Sequence, residues 1–277
     1  MAAYFMPADI LLPDFEKVNG STWATVACDQ YTSEPHYWQE VERGVGDQPS
    51  TLRAILPEVY LEETEARVPA IHEAMEQYAR DLLVRHPNTM LYIEREQSNG
   101  KVRRGLVGMV DLEHYDYAKG SRSLIRATEG TVVERIPPRL AVRREALLEL
   151  PHVMLLIDDA AKTVIEPIAA RVATLTKVYD FPLMQGSGAI RAFEVDRVGL
   201  GRVSVALGKL ISPEVLVKRY GEGVAPLLFA VGDGNHSLAT AKACWADSAS
   251  ISPSKTHSIT AFAIGSTRTC PPSCLVK

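Results

Sequence analysis

The chain is predicted to be an α/β protein with a mixed sheet, and three patterns predict it. Apolar runs of strand length recur, as at 152–157 and 226–231. Segments with apolar residues at three- and four-residue spacings alternate with them, as at 62–86. Met90–Ile93 and Leu106–Val110 flank a polar turn, Gln97-Ser98-Asn99-Gly100, and read as an antiparallel hairpin. Alternation favours parallel strands, and the hairpin makes the sheet mixed.

Residues 23–28 (Trp-Ala-Thr-Val-Ala-Cys) read as a buried strand, followed by the turn-prone stretch 29–35. Ser33 is placed to cap a helix with Pro35 in its first turn, running to about Gly44. In the helix over 62–86, Val68, Ile71, Met75, Tyr78, Leu82 and Leu83 share one face, and Pro87-Asn88 ends it. The hairpin comes next. The charged stretch 113–139, with Pro137-Pro138, lacks sustained periodicity, as functional or disordered segments do. A strand at 152–157 then leads into Asp158-Asp159. A helix over 160–174 has Pro167 as an awkward member. Strands near 176–181 and 189–195 and a helix near 197–210 follow. The run Pro226–Val231 is apolar on both faces, so it is expected inside the sheet, not at an edge. It enters a glycine loop, and Leu238–Trp245 reads as helix.

Residues 1–246 are thus read as one α/β domain, in one lobe or two. After Asp247 the composition turns to Ser, Thr and Pro, ending in Cys270-Pro271-Pro272-Ser273-Cys274. Residues 247–277 are expected to form a loosely ordered or divergent tail.

With 46% hydrophobic and 23% charged residues, the chain has the apolar content for a normal core. A net charge of −4 argues against a dedicated nucleic-acid binder. The N-terminus lacks a basic region and a long apolar stretch, so neither a signal peptide nor a membrane partner is expected. Four cysteines without a secretion signal read as reduced thiols, which places the protein in the cytoplasm.

The motif with most chemical content is Gly232-Asp233-Gly234-Asn235-His236-Ser237, between an apolar strand and a helix. The first N–H groups of a helix have no intrahelical acceptor, and the helix dipole adds partial positive charge there. That end is suited to phosphate. Glycines permit close approach of an anion. His236 offers a donor or a proton carrier, Asp233 a metal ligand or an orienting carboxylate, and Asn235 or Ser237 a cap. Gly-Asp-Gly-Asn is also ordinary turn chemistry. A second motif, Arg126-Ala127-Thr128-Glu129-Gly130-Thr131, followed by Glu134-Arg135 and Arg139, offers groups for phosphate and a metal, or is a solvated loop. A third, Cys28-Asp29-Gln30-Tyr31, follows the first predicted strand, where α/β sheets place ligands. Cys270 and Cys274 lack a second ligand pair at zinc spacing.

In their order and spacing these motifs resemble a bacterial and archaeal family known as domain of unknown function 1015. Asp233-Gly234-Asn235-His236-Ser237 corresponds to the family's Asp-Gly-His-His-Arg loop. Thr128-Glu129-Gly130-Thr131 corresponds to its His-Glu-x-Thr segment, with Arg139-Leu140 downstream. Asp29-Gln30-Tyr31 corresponds loosely to its Pro-Tyr-Asp stretch. The resemblance spans roughly residues 8–246. It implies a ParB/sulfiredoxin-like core and kinship with an archaeal free-serine kinase. It further implies a nucleotide-dependent phosphotransferase using ATP or ADP and magnesium, or a nucleotide- or metabolite-binding regulator. Under that implication Gly232 through Ser237, with Arg126 and Thr131, bind the nucleotide. Glu129, His236 and Asp29 are the catalytic candidates, with Glu129 or Asp29 as base or magnesium ligand. Ser237 stands where the family has Arg, which removes a fixed charge from the loop. The segment after Asp247 departs from the family, as a truncation or frame change would make it.

Overall fold

The computed structural model describes residues 4–27, 31, 33–131, 136–150, 153–251 and 261–266. Two sheets organise them. Strand β1 (Phe5–Met6) pairs at the side of β5 (Val102–Val110), and β2 (Ala8–Pro13) forms a separate ribbon with β3 (Leu83–Thr89). The other strands are β4 (Leu91–Glu96), β6 (Tyr115–Asp116), β7 (Ile125–Ala127), β8 (Met154–Ile157), β9 (Thr176–Pro182), β10 (Ala189–Glu194), β11 (Phe229–Asp233) and β12 (Ala261–Ser266). With β1 and β5 they make a ten-stranded sheet, in the order β6-β7-β11-β8-β12-β5-β4-β10-β9. Pairs β6–β7, β7–β11 and β8–β12 are parallel and the others antiparallel, so the sheet is mixed as predicted.

The helices are α1 (Gly20–Trp23), α2 (Pro35–Val45), α3 (Thr64–Asp81), α4 (Ile136–Arg144), α5 (Glu166–Ala169), α6 (Arg197–Leu210), α7 (Pro213–Tyr220) and α8 (Asn235–Ile251). The main core joins Tyr92, Leu106, Ile125, Leu155, Phe229 and Val231 of the sheet to Val203 and Leu207 of α6 and Leu238 and Ala241 of α8. Among the described residues, no helix is long and apolar enough to cross a membrane.

The hairpin forms where expected, with Leu91↔Val107 through Glu96↔Val102 in register. The α6 helix spans 197–210, and Asp196 caps it by accepting from the Gly199 N–H at 2.7 Å. Strand β11 lies between β7 and β8, not at an edge, though it starts three residues later than the apolar run.

Other expectations fail for identifiable reasons. Residues 23–27 are not a strand. Trp23 ends α1, and the backbone beyond it is held by side chains: Thr25 N–H donates to Thr51 Oγ1 at 3.0 Å, and Tyr37 Oη donates to the Val26 carbonyl at 2.5 Å. Ser33 does not cap α2, whose N-cap is Glu34. The long helix stops at Asp81 because Leu83 onward pairs with β2, so Leu83 belongs to a strand. No helix spans 160–174. Asp159 accepts from the Thr163 and Val164 N–H groups and shapes a turn, and Pro167 then sits in the first turn of the short α5. Helix α7, with Pro213 in its first turn, was not foreseen. Within the segment after Asp247, Ala261–Ser266 lies in the sheet between β8 and β5.

Glu94 is the main buried charge of the β4 neighbourhood, with a side chain 7% exposed. Register sets Arg104 of β5 and Arg191 of β10 on either side of it. Glu94 accepts from Tyr92 Oη at 2.7 Å, Arg104 Nε at 3.2 Å and Arg191 Nε at 2.6 Å. Burial pushes its carboxyl up; the bonds from Tyr92, Arg191 and Arg104 outweigh this and hold it below the ordinary range. A carboxyl so depressed stabilises the fold above its unfolded pKa of about 4.3, and that contribution is lost as pH falls through the lower folded value. Glu94→Gln is therefore expected to be less stable than wild type at neutral pH. Its stability should also fall less steeply on acidification below about pH 4. Denaturant midpoints measured against pH check this, and parallel profiles for the two proteins would contradict it.

Candidate functional site

Strands β7 and β11 are parallel, with Ile125↔Phe229, Arg126↔Ala230 and Ala127↔Val231 as partners. Both therefore leave the sheet on the same edge. This brings the segment Thr128-Glu129 beside the segment Asp233–Ser237, which are a hundred residues apart in sequence. Thr128 Oγ1 donates to the Val231 carbonyl at 2.5 Å. Asn235, 4% exposed, spans the gap. Its Oδ1 accepts from the Thr128 N–H at 3.3 Å, and its Nδ2 lies 3.3 Å from Glu129 Oε1 and 3.5 Å from Thr128 Oγ1. Two of the three motifs singled out in the sequence thus meet.

Gly232 and Asp233 belong to β11, and α8 starts at Asn235, three residues earlier than the periodicity suggested. The Gly234 carbonyl accepts from the Leu238 N–H at 3.0 Å, and the Gly234 N–H donates to Asp233 Oδ1 at 2.7 Å. The glycines are explained by protein contacts. A Cβ on Gly232 would lie 2.7 Å from Leu156 Cδ1. Gly234 has a φ of +79°, and a Cβ there would lie 2.9 Å from Val153 Cγ2. Both glycines make room for β8 and the residue before it, so their open sides face protein. In the first turn of α8, His236 and Ser237 are half-buried.

The second motif divides. Glu129 stands exposed beside the start of α8. Thr131 Oγ1 is buried and has no hydrogen-bond partner among the described residues. Arg126 is turned away from the glycine loop: its guanidinium donates to the carbonyls of Ser123 (2.7 Å), Ala225 (3.2 Å) and Pro226, where the chain enters β11. These bonds hold the chain where it enters β11, at the opposite end of the strand from the glycine loop. Arg139, on α4, is ion-paired with Glu58. Asp29, Cys28, Gln30, Glu134 and Arg135 lie outside the described residues. Of the third motif only Tyr31 is described. Its ring stacks on Tyr37, and its carbonyl accepts from Trp38 Nε1 at 2.9 Å.

Among the described residues, no group of three or more His, Cys, Asp and Glu side chains is placed to hold a metal ion. Magnesium bound through one or two carboxylates and substrate phosphates does not require such a group. Among the described residues Thr131 Oγ1 is buried without a hydrogen-bond partner, and a side chain at Gly130 would face open space. Sequence reasoning left Thr128 without a role and did not foresee the bridging function of Asn235. Neither was accessible without knowing that β7 and β11 are parallel neighbours.

No curated protein and no solved structure matches this chain. A family model matches residues 12–264, beyond the point at which the sequence motifs had placed the end of the resemblance. The chain belongs to the family described as protein of unknown function (DUF1015).

Proposed function

We propose that this chain is a nucleotide-dependent phosphotransferase acting on a small hydroxylated metabolite such as free serine, on a ParB/sulfiredoxin-like core. One observation carries the reading: parallel β7 and β11 set the Glu129 carboxylate against the first turn of α8 through Asn235. Phosphoryl transfer requires donors around the phosphates and a carboxylate at the attacking hydroxyl or at the metal. The first turn of α8 supplies the donors, with His236 as the main side-chain contact, and Thr131 Oγ1 is a further group in need of a partner. Glu129 takes the hydroxyl proton or binds magnesium. Asp29 is the alternative for either role. ATP or ADP with magnesium supplies the transferable phosphoryl group.

A second reading, a non-catalytic nucleotide- or metabolite-binding regulator, is favoured by Ser237, which lacks the fixed charge of the family's arginine. A thermal-shift panel of ATP, ADP and CTP with magnesium, followed by transfer assays to free amino acids, separates the two. The phosphotransferase reading expects stabilisation by a nucleotide and a phosphorylated acceptor. Stabilisation without transfer to any acceptor supports the regulator, and no stabilisation by any of the three overturns the phosphotransferase and the nucleotide-binding form of the regulator.

A further inference from the structure

We propose that Asn235 is a positioning residue with two separable functions: its amide oxygen fixes the Thr128 backbone, and its amide nitrogen aims the Glu129 carboxylate across the start of α8. The aiming function rests on the reading of Glu129 as a reacting or metal-binding group. Asn235 is the first residue of α8, and Gly234 precedes it as the cap position. Its bonds run outward to the neighbouring segment, to Thr128 N, Thr128 Oγ1 and Glu129 Oε1. The short amide accepts from a backbone N–H and donates to a carboxylate from one planar group. Serine has a single oxygen, aspartate only acceptors, and glutamine one more methylene. At 4% exposure the amide has little water to turn to, so each bond is costly to leave unmade. Donation to Glu129 Oε1 fixes one carboxylate oxygen and leaves Oε2 for a hydroxyl proton or a cation. The neutral donor does this without neutralising the carboxylate, as an arginine at the same place would.

The two functions come apart by substitution. Asn235→Asp keeps an acceptor for Thr128 N–H but removes the donor and sets a second carboxylate against Glu129. Asn235→Ala removes both. Amide hydrogen exchange and side-chain ¹H–¹⁵N spectra of the full chain read the outcome directly. Thr128 N–H protection should persist in Asn235→Asp and fall about fivefold or more in Asn235→Ala, the order expected for one neutral hydrogen bond. The Asn235 side-chain resonances should move in Glu129→Ala while Thr128 protection is unchanged. If those resonances do not respond to Glu129→Ala, or Thr128 exchange does not respond to Asn235→Ala, the proposal is overturned. These readouts hold whether or not the chain transfers phosphate. In the transfer assay, Asn235→Asp should lose turnover. Unchanged turnover with the spectroscopic coupling intact would remove the aiming function and leave the anchor.

Discussion

Replacing Gly234 by valine should destabilise the protein by roughly 2–5 kcal/mol, combining the cost of a left-handed backbone with that of overpacking. The φ of +79° is one that a β-branched residue adopts only under strain, and the new Cβ would lie 2.9 Å from Val153 Cγ2 and 3.1 Å from Val153 Cα. Val153 is 1% exposed and belongs to the main core, so it has no open space to move into. Urea midpoints measure the effect. A midpoint equal to that of wild type would mean that the β11–α8 corner is looser than described. A second consequence concerns ligand binding. Loss of binding in Gly234→Val reports a damaged corner, not a blocked phosphate, so variants of α8's first turn are the cleaner probes.

Glu129→Gln should lower turnover by about 10²–10⁴-fold if Glu129 takes the proton of the acceptor hydroxyl. The change preserves shape and removes the charge. Glu129 is exposed, so stability should barely change. Nucleotide affinity separates the two roles. As a base, Glu129 can be replaced with little effect on binding. As a magnesium ligand, its replacement weakens binding in magnesium and not in chelator. Turnover equal to wild type would remove Glu129 from the chemistry and direct attention to Asp29.

Local pattern was enough for elements whose partners are near in sequence. The β4–β5 hairpin, α6, and the strand leading to the glycine loop were all legible. Elements decided by distant pairing were not. Leu83 reads as the last turn of a helix until β2 is there to pair with it. Ala261–Ser266 reads as a fragment of polar tail, yet it fills the space between β8 and β5. Residues 23–27 have strand composition, but Thr51 and Tyr37 take up backbone groups that a ladder would use. The same division runs through the site. The residues of the glycine segment and Glu129 were singled out by type and order, whereas their meeting depends on the parallel register of β7 and β11. Arg126 carries the charge expected of a phosphate donor, but the carbonyls of Ala225 and Pro226 lie where β11 begins, and they engage it. At both Gly232 and Gly234 a side chain would meet the close passage of Leu156 and Val153.

The central claim is that the first turn of α8, beside Glu129, receives the phosphates of a nucleotide. Titration of ATP and ADP into wild type and His236→Ala, each with magnesium and with chelator, tests it most directly. A charge-assisted hydrogen bond contributes roughly 1.5–3 kcal/mol, so His236→Ala should bind about tenfold or more weakly. Equal affinity of the two proteins, or no binding by wild type, would contradict the claim and leave Gly232–Ser237 as a corner of the fold.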